Sequence, residues 1–146
     1  MATEDIQYII FFAFLLALVP FIFFFISQQR LLQAIRPENR LLPPANVWLQ
    51  LIPLFGAVYQ FIVIRKIADS ITNELTDTDP DSILSEKEII PPNPTYRNGV
   101  IYCICFCFSI LPIPFIKTAI AFVGLGFWIA YWTEISRYRQ KINNRG

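Results

Sequence analysis

The chain has no histidine and little charge. Asp, Glu, Lys and Arg make up only 16% of its 146 residues, against roughly 25% in a typical soluble domain. Without histidine it lacks the commonest general base and the commonest metal ligand. The formal net charge is +1, so there is no polycationic surface for a phosphate backbone, and nucleic-acid binding is excluded as a class. No P-loop, Rossmann fingerprint, nucleophile elbow or H-E-x-x-H helix is present. No internal repeat suggests a transporter of inverted halves. An ordinary soluble enzyme and a disordered chain are both excluded.

Apolar residues are what the chain has. They make up 55% of it, aromatics 16%, and the mean hydropathy is +0.48. They fall in blocks rather than stripes, which points to a bilayer and not to a water-driven core. The first block, 6–27, carries no charge and holds half of the fourteen phenylalanines. At 1.5 Å per residue it spans about 33 Å, enough for a hydrocarbon core of ~30 Å. Pro20 lies inside it, which a membrane helix tolerates when neighbours satisfy the freed carbonyl. A cleaved signal peptide is not expected. Glu4 and Asp5 precede the block with no Lys or Arg, and no A-x-A site follows it.

Leu31, Leu32 and Ile35 extend this helix towards the headgroups, and Pro37 ends it, because a residue before proline is pushed out of the helical region. Pro43-Pro44 is a second break, and Asn46 is a candidate N-cap. The second block, 47–64, is near the lower length limit for crossing. It contains Gln50, Pro53, Gly56 and Gln60, a composition that also suits a re-entrant hairpin buried by other helices. Its continuation is amphipathic: Ile64, Ala68, Ile71 and Leu75 recur at helical spacing, with Arg65, Asp69, Thr72 and Asn73 facing elsewhere. Residues 76–99 read as a polar loop. The third and fourth blocks, 100–116 and 118–133, are separated by a proline turn near Lys117. A basic tail, 134–146, follows.

Cytoplasmic loops keep the cations. Four spans with both termini inside leave Arg30, Arg36, Arg40 and Lys117 outside, and the reverse orientation is worse. If 47–64 does not cross and the N-terminus lies outside, every Lys and Arg except Lys117 is inside. That model is favoured. The expected fold is one all-α membrane domain, 1–146, with three or four transmembrane helices, the count turning on whether 47–64 crosses.

Two patches carry a resemblance. One, within Pro43–Glu74, reads P-x-x-V-W-L-x-L-I-P-L-F, then an aromatic-Q-F, then I-A-D-S-x-x-x-E. The other, Trp128–Lys141, reads W-I-x-Y-W-x-x-I-x-x-Y and then basic residues. Together they resemble a group of small, uncharacterised bacterial multi-pass membrane proteins. The chain departs from that pattern at Gly56, where Asn is usual, and at Tyr59, where Trp is usual. The resemblance covers about a third of the chain. It implies a bacterial inner-membrane location and supplies no activity.

Candidate chemistry is sparse. Cys103, Cys105 and Cys107 form C-x-C-x-C, but one helix cannot converge three thiols on an ion, so they read as small packing residues. Asp77, Asp79, Asp81 and Glu88 occupy positions 1, 3, 5 and 12 of an EF-hand-like loop. Ser82 stands where glycine is wanted, Pro80 lies inside, and Pro91-Pro92 blocks the exiting helix, so a solvated acidic turn is preferred to a calcium site. Lys117 reads as a snorkelling anchor at the turn. Glu134 and Arg137 are spaced to pair on the tail helix, and the tail reads as an anchor for anionic lipids. Gly126 and Ala130 have small-x-x-x-small spacing, suiting either internal packing or self-association. No catalytic residue, cofactor or metal site is expected. The expected role is a structural or accessory subunit of a membrane complex or a self-associating scaffold, with the bilayer and a membrane-protein partner or a second copy as partners. A small oligomeric pore lined by Gln50, Gln60, Ser109 and the Pro53–Gly56 break is the alternative. A membrane-embedded enzyme ranks last.

Overall fold

The computed structural model describes residues 3–52, 54–77, 93–110 and 114–144. Those residues form four α-helices and one 3-10 segment, with no strand among them. The elements are α1 (Thr3–Ala34), the 3-10 segment (Pro44–Leu51), α2 (Phe55–Asp77), α3 (Tyr96–Ile110) and α4 (Pro114–Asn143).

α1 runs through Pro20 and ends at Ala34, short of Pro37 as expected. The chain then turns and packs back along the bundle. The Leu41 N–H donates to Ser70 Oγ at 2.9 Å, and Ser70 Oγ donates to the Lys66 carbonyl at 2.6 Å. Further along, the Gly56 N–H bonds to the Ile52 carbonyl. Residue 41 is therefore level with 66–70, and residue 50 with 56, so the 3-10 segment and α2 form one antiparallel hairpin. Its reversal holds Leu54 at φ 63°, a left-handed conformation that costs about 1 kcal/mol or more for a residue with a Cβ. Gly56 is required there, because a Cβ would run into the Gln50 carbonyl. Pro44 opens the 3-10 segment and the Asn46 N–H bonds to the Pro43 carbonyl. Asn46 thus lies inside the turn rather than capping a helix, since proline's fixed φ starts the turn two residues earlier.

α3 and α4 pack antiparallel. Asn98 meets Glu134 at one end, and Cys105 meets Gly124 further in. The polar loop expected over 76–99 is shorter at both ends: α2 reaches Asp77 and α3 begins at Tyr96. Asn93-Pro94-Thr95 makes the turn into α3, and the Pro, Asn and Gly of that stretch masked the helix that starts beside them. Gly99 sits in the first turns of α3 because a Cβ would lie 2.6 Å from Ile64 and 3.0 Å from Tyr131. Pro114 is the first residue of α4, a position where its missing N–H costs nothing. Lys117 therefore lies inside the first turn of α4, exposed. The tail expected from 134 continues α4 as helix to Asn143.

The core lies at one end. Phe24, Leu31, Leu32, Ile35, Val47, Ile64, Ile67, Ile71, Tyr131 and Ile135 are buried there. Phe24 touches the rings of Tyr102, Trp128, Tyr131 and Trp132 at centroid distances of 5.3–6.0 Å. The amphipathic reading of α2 holds: Ile64, Ala68, Ile71 and Leu75 are buried and Arg65 is exposed. Away from this end, apolar side chains point outward from α1, the hairpin tip, α3 and α4. Among the described residues, two helices are long and apolar enough to cross a membrane, 5–34 and 116–143.

Candidate functional site

Three polar clusters lie along the bundle. The first is at the end opposite the exposed apolar surface, where α1 hands over to the hairpin. The Glu74 carboxylate, 8% exposed, receives the Arg36 N–H at 3.2 Å, Arg36 Nε at 3.1 Å and Asn39 Nδ2 at 2.9 Å. Asp77 adds a 3.3 Å ion pair to the same guanidinium. The hydrogen bond from Glu74 raises Arg36 above its ordinary pKa. Each donor satisfies a carboxylate lone pair, so the charge is buried but fully matched, and the cluster acts as a clamp. Asp77, the first residue of the EF-hand-like pattern, is committed to this clamp. Asp79, Asp81 and Glu88 lie outside the described residues. Among the described residues no His, Cys, Asp and Glu group could hold a metal.

The second cluster is buried where the hairpin tip meets α1, α3 and α4. Gln50 Nε2 donates to Gln28 Oε1 at 2.8 Å and to the Val47 carbonyl at 3.0 Å. Gln60 Nε2 donates to the Ala57 carbonyl at 3.1 Å, and Tyr102 lies 3.5 Å from Gln60 Oε1. An apolar cavity of about 440 Å³ lies against them, walled by Phe21, Phe24, Phe106 and Trp128. Gln28 and Tyr102 belong to this cluster and carried no sequence signal of their own. Ser109 donates to the Cys105 carbonyl on its own helix.

The third cluster is the most accessible and the most chemically varied. Between the start of α3 and the last turns of α4 lies a cavity of about 580 Å³, lined by Asn93, Thr95, Arg97, Asn98, Glu134, Arg137, Tyr138 and Lys141. Asn98 Nδ2 donates to Glu134 Oε1 at 2.7 Å. The other carboxylate oxygen, Oε2, is buried and has no hydrogen-bond partner, and the same is true of Thr95 Oγ1. Arg97 and Arg137 line the same cavity as this carboxylate. Thr95 itself is held at φ 70°, a strained conformation for a β-branched residue. Trp132, one turn-fraction below Glu134 on α4, donates from Nε1 to Ser27 Oγ at 2.8 Å and ties α4 to α1.

The expected pairing of Glu134 with Arg137 along α4 is corrected here. Among the described residues no ion pair is formed by Glu134, whose close partner is Asn98 on the facing helix. The i, i+3 spacing permits contact on an isolated helix, but in the bundle the carboxylate turns to the facing Asn98 amide at 2.7 Å. Arg97, Asn98 and Thr95 were hidden in the stretch read as a loop.

The cysteines pack as small residues: Cys103 is buried, and Cys105 lies under Gly124. Gly126, expected to pair with Ala130 in close packing, has open space where its Cβ would be. Comparison with protein-family models, curated proteins and solved structures finds no match to this chain.

Proposed function

We propose that this chain is an integral inner-membrane protein of accessory or scaffolding type, with three crossings and one re-entrant hairpin. α1, α3 and α4 carry the chain through the bilayer, and the hairpin of the 3-10 segment and α2 enters and leaves on the clamp side. One observation supports this most: both ends of that hairpin, near Leu41 and at Asp77, lie at the same polar end as Arg36 and Glu74. From Pro114 to Glu134, α4 is about 30 Å long, a full hydrocarbon thickness. α3 begins beside Glu134 and must reach the same far side for α4 to return. This arrangement puts Arg30, Arg36, Arg40, Arg65 and Lys66 together on the cytoplasmic side.

The accessory role draws support from where the polar groups go. The amide N–H groups of Gln50 and Gln60 and the Ser109 hydroxyl donate within a single bundle, where a pore would turn them towards a lumen. The open side of α4 presents Gly126 with Phe122, Val123, Leu125 and Ile129 outward, a face suited to another membrane helix.

Single-cysteine labelling in inside-out and right-side-out vesicles tests the topology, with the three native cysteines replaced. Ala45→Cys and Thr76→Cys are expected to react from the same side, and Asp5→Cys from the other. Reaction of residues 45 and 76 from opposite sides makes 47–64 a crossing helix and removes the reading. Native mass spectrometry from mild detergent then tests the role. A partner or a second copy at fixed stoichiometry is expected, and a strict monomer argues against it.

A further inference from the structure

The cavity between α3 and α4 has features that the accessory reading leaves unexplained. Glu134 Oε2 and Thr95 Oγ1 are buried polar atoms with no partner, and Thr95 is only 6% exposed. A buried acceptor left unmade is costly. A carboxylate oxygen accepts and cannot donate, so whatever completes it must bring an N–H or O–H. Two guanidinium groups, Arg97 and Arg137, line the same cavity, and neither makes a hydrogen bond to the free oxygen of Glu134. A guanidinium prefers a planar oxyanion such as phosphate. If an anion drew both away, the carboxylate would lose its compensating charge, and a ligand bearing its own cation would restore it. The cavity lies at the end of α4 that the three-crossing arrangement places at the membrane surface.

We propose that this cavity binds a phosphoethanolamine group, with its phosphate oxygens on Arg97 and Arg137 and its ammonium on Glu134 Oε2 and Thr95 Oγ1. The ammonium donates the hydrogen bonds that those two oxygens lack, and Asn98 keeps Glu134 aimed into the cavity through its 2.7 Å bond to Oε1. The group has two natural sources, the headgroup of a phosphatidylethanolamine in the surrounding leaflet or a soluble phosphoethanolamine ester. The assignment of a lipid source rests on the membrane reading above; the ligand chemistry does not.

The test uses the full chain in nanodiscs containing equal phosphatidylethanolamine, phosphatidylcholine and phosphatidylglycerol, with retained lipid counted by native mass spectrometry after transfer to detergent. Phosphatidylethanolamine is expected to be retained about tenfold over phosphatidylcholine, whose quaternary ammonium has no N–H to donate, since a hydrogen bond to a charged group is worth roughly that ratio. Glu134→Gln is expected to bring the two to parity, and an unchanged thermal unfolding midpoint checks that the variant is folded. Arg97→Gln with Arg137→Gln is expected to lower all three. Equal retention of ethanolamine and choline lipids by the native chain, phosphatidylglycerol above phosphatidylethanolamine, or a preference unchanged in Glu134→Gln each overturns the proposal. Displacement by free glycerophosphoethanolamine at equal concentration assigns the soluble source and keeps the chemistry. Failure of the chain to enter nanodiscs at all removes the membrane reading instead, and binding of the free ester in detergent then tests the site by itself.

Discussion

Phe23 and Phe24 are neighbours on α1, yet one is 57% exposed and the other 1%. The whole molecule divides along the same line. Towards the N-terminal half of α1, the side chains of Tyr8, Phe12 and Leu16 stand outward with no protein neighbour to cover them. Towards its C-terminal half, Leu31, Leu32 and Ile35 are fully enclosed by the hairpin and α4. The apolar residue types barely change across the division. Hydrophobicity therefore reports where this chain lives and says little about what packs. The packed region is marked instead by the polar residues it encloses. Gln28, Ser70 and Glu74 are buried there, and each bonds to a different segment. In lipid an apolar surface gains nothing by being covered, so specific packing has to come from shape and from hydrogen bonds.

The sharpest way to break that comparison is to truncate the two phenylalanines separately. Phe24→Ala removes a ring held by five aromatic partners, and the expected loss is about 4 kcal/mol. Phe23→Ala removes a ring facing outward, and the expected loss is below about 1 kcal/mol, because lipid chains refill the space. Thermal unfolding in one detergent measures both. Equal losses would mean that the outward face of α1 is covered by protein in the assembled state.

Much of this arrangement was legible in the residues. The break expected within 47–64 is where the chain reverses between the 3-10 segment and α2, and Gly56 marks it because only a residue without a Cβ fits beside the Gln50 carbonyl. The end of α1 before Pro37 and the buried stripe of α2 were also written plainly, because proline sterics and helical periodicity are local. The clamp was not legible. Glu74 sits in α2 at a position where an exposed carboxylate is the ordinary expectation, and only the return of the chain through Arg36 and Asn39 makes it buried. The α3–α4 cavity was missed for a related reason. Its residues come from a stretch dense in Pro, Asn and Gly, where local preference argued for a loop and the packing of Gly99 against Ile64 and Tyr131 decided for a helix.

The clamp gives the next largest effect. Glu74→Ala leaves the Arg36 N–H without its Glu74 acceptor and the Asn39 amide with only the longer 3.3 Å bond to Asp77, at a site where the carboxylate is 8% exposed. The expected cost is about 3 kcal/mol. The loss should be uneven across the molecule: hydrogen exchange is expected to rise at residues 37–52 and in the last turns of α2, with the α3–α4 pair unaffected. Exchange rising equally in α4 would show that the hairpin and the helical pair unfold as one unit.

The smallest effects come from two glycines on opposite sides of the division. At Gly56 a Cβ collides with the Gln50 backbone, which cannot move without opening the hairpin, so Gly56→Ala is expected to cost about 2 kcal/mol. At Gly126 the same added methyl meets nothing within 4 Å. There the change removes only the entropy penalty of glycine in a helix, and the isolated chain should gain up to about 1 kcal/mol. That gain sharpens the comparison if it is read together with oligomeric state. A stabilised chain that keeps its partner stoichiometry places the contact away from Gly126. A stabilised chain that loses its partner places a second helix against this open face of α4, close enough for one methyl group to exclude it.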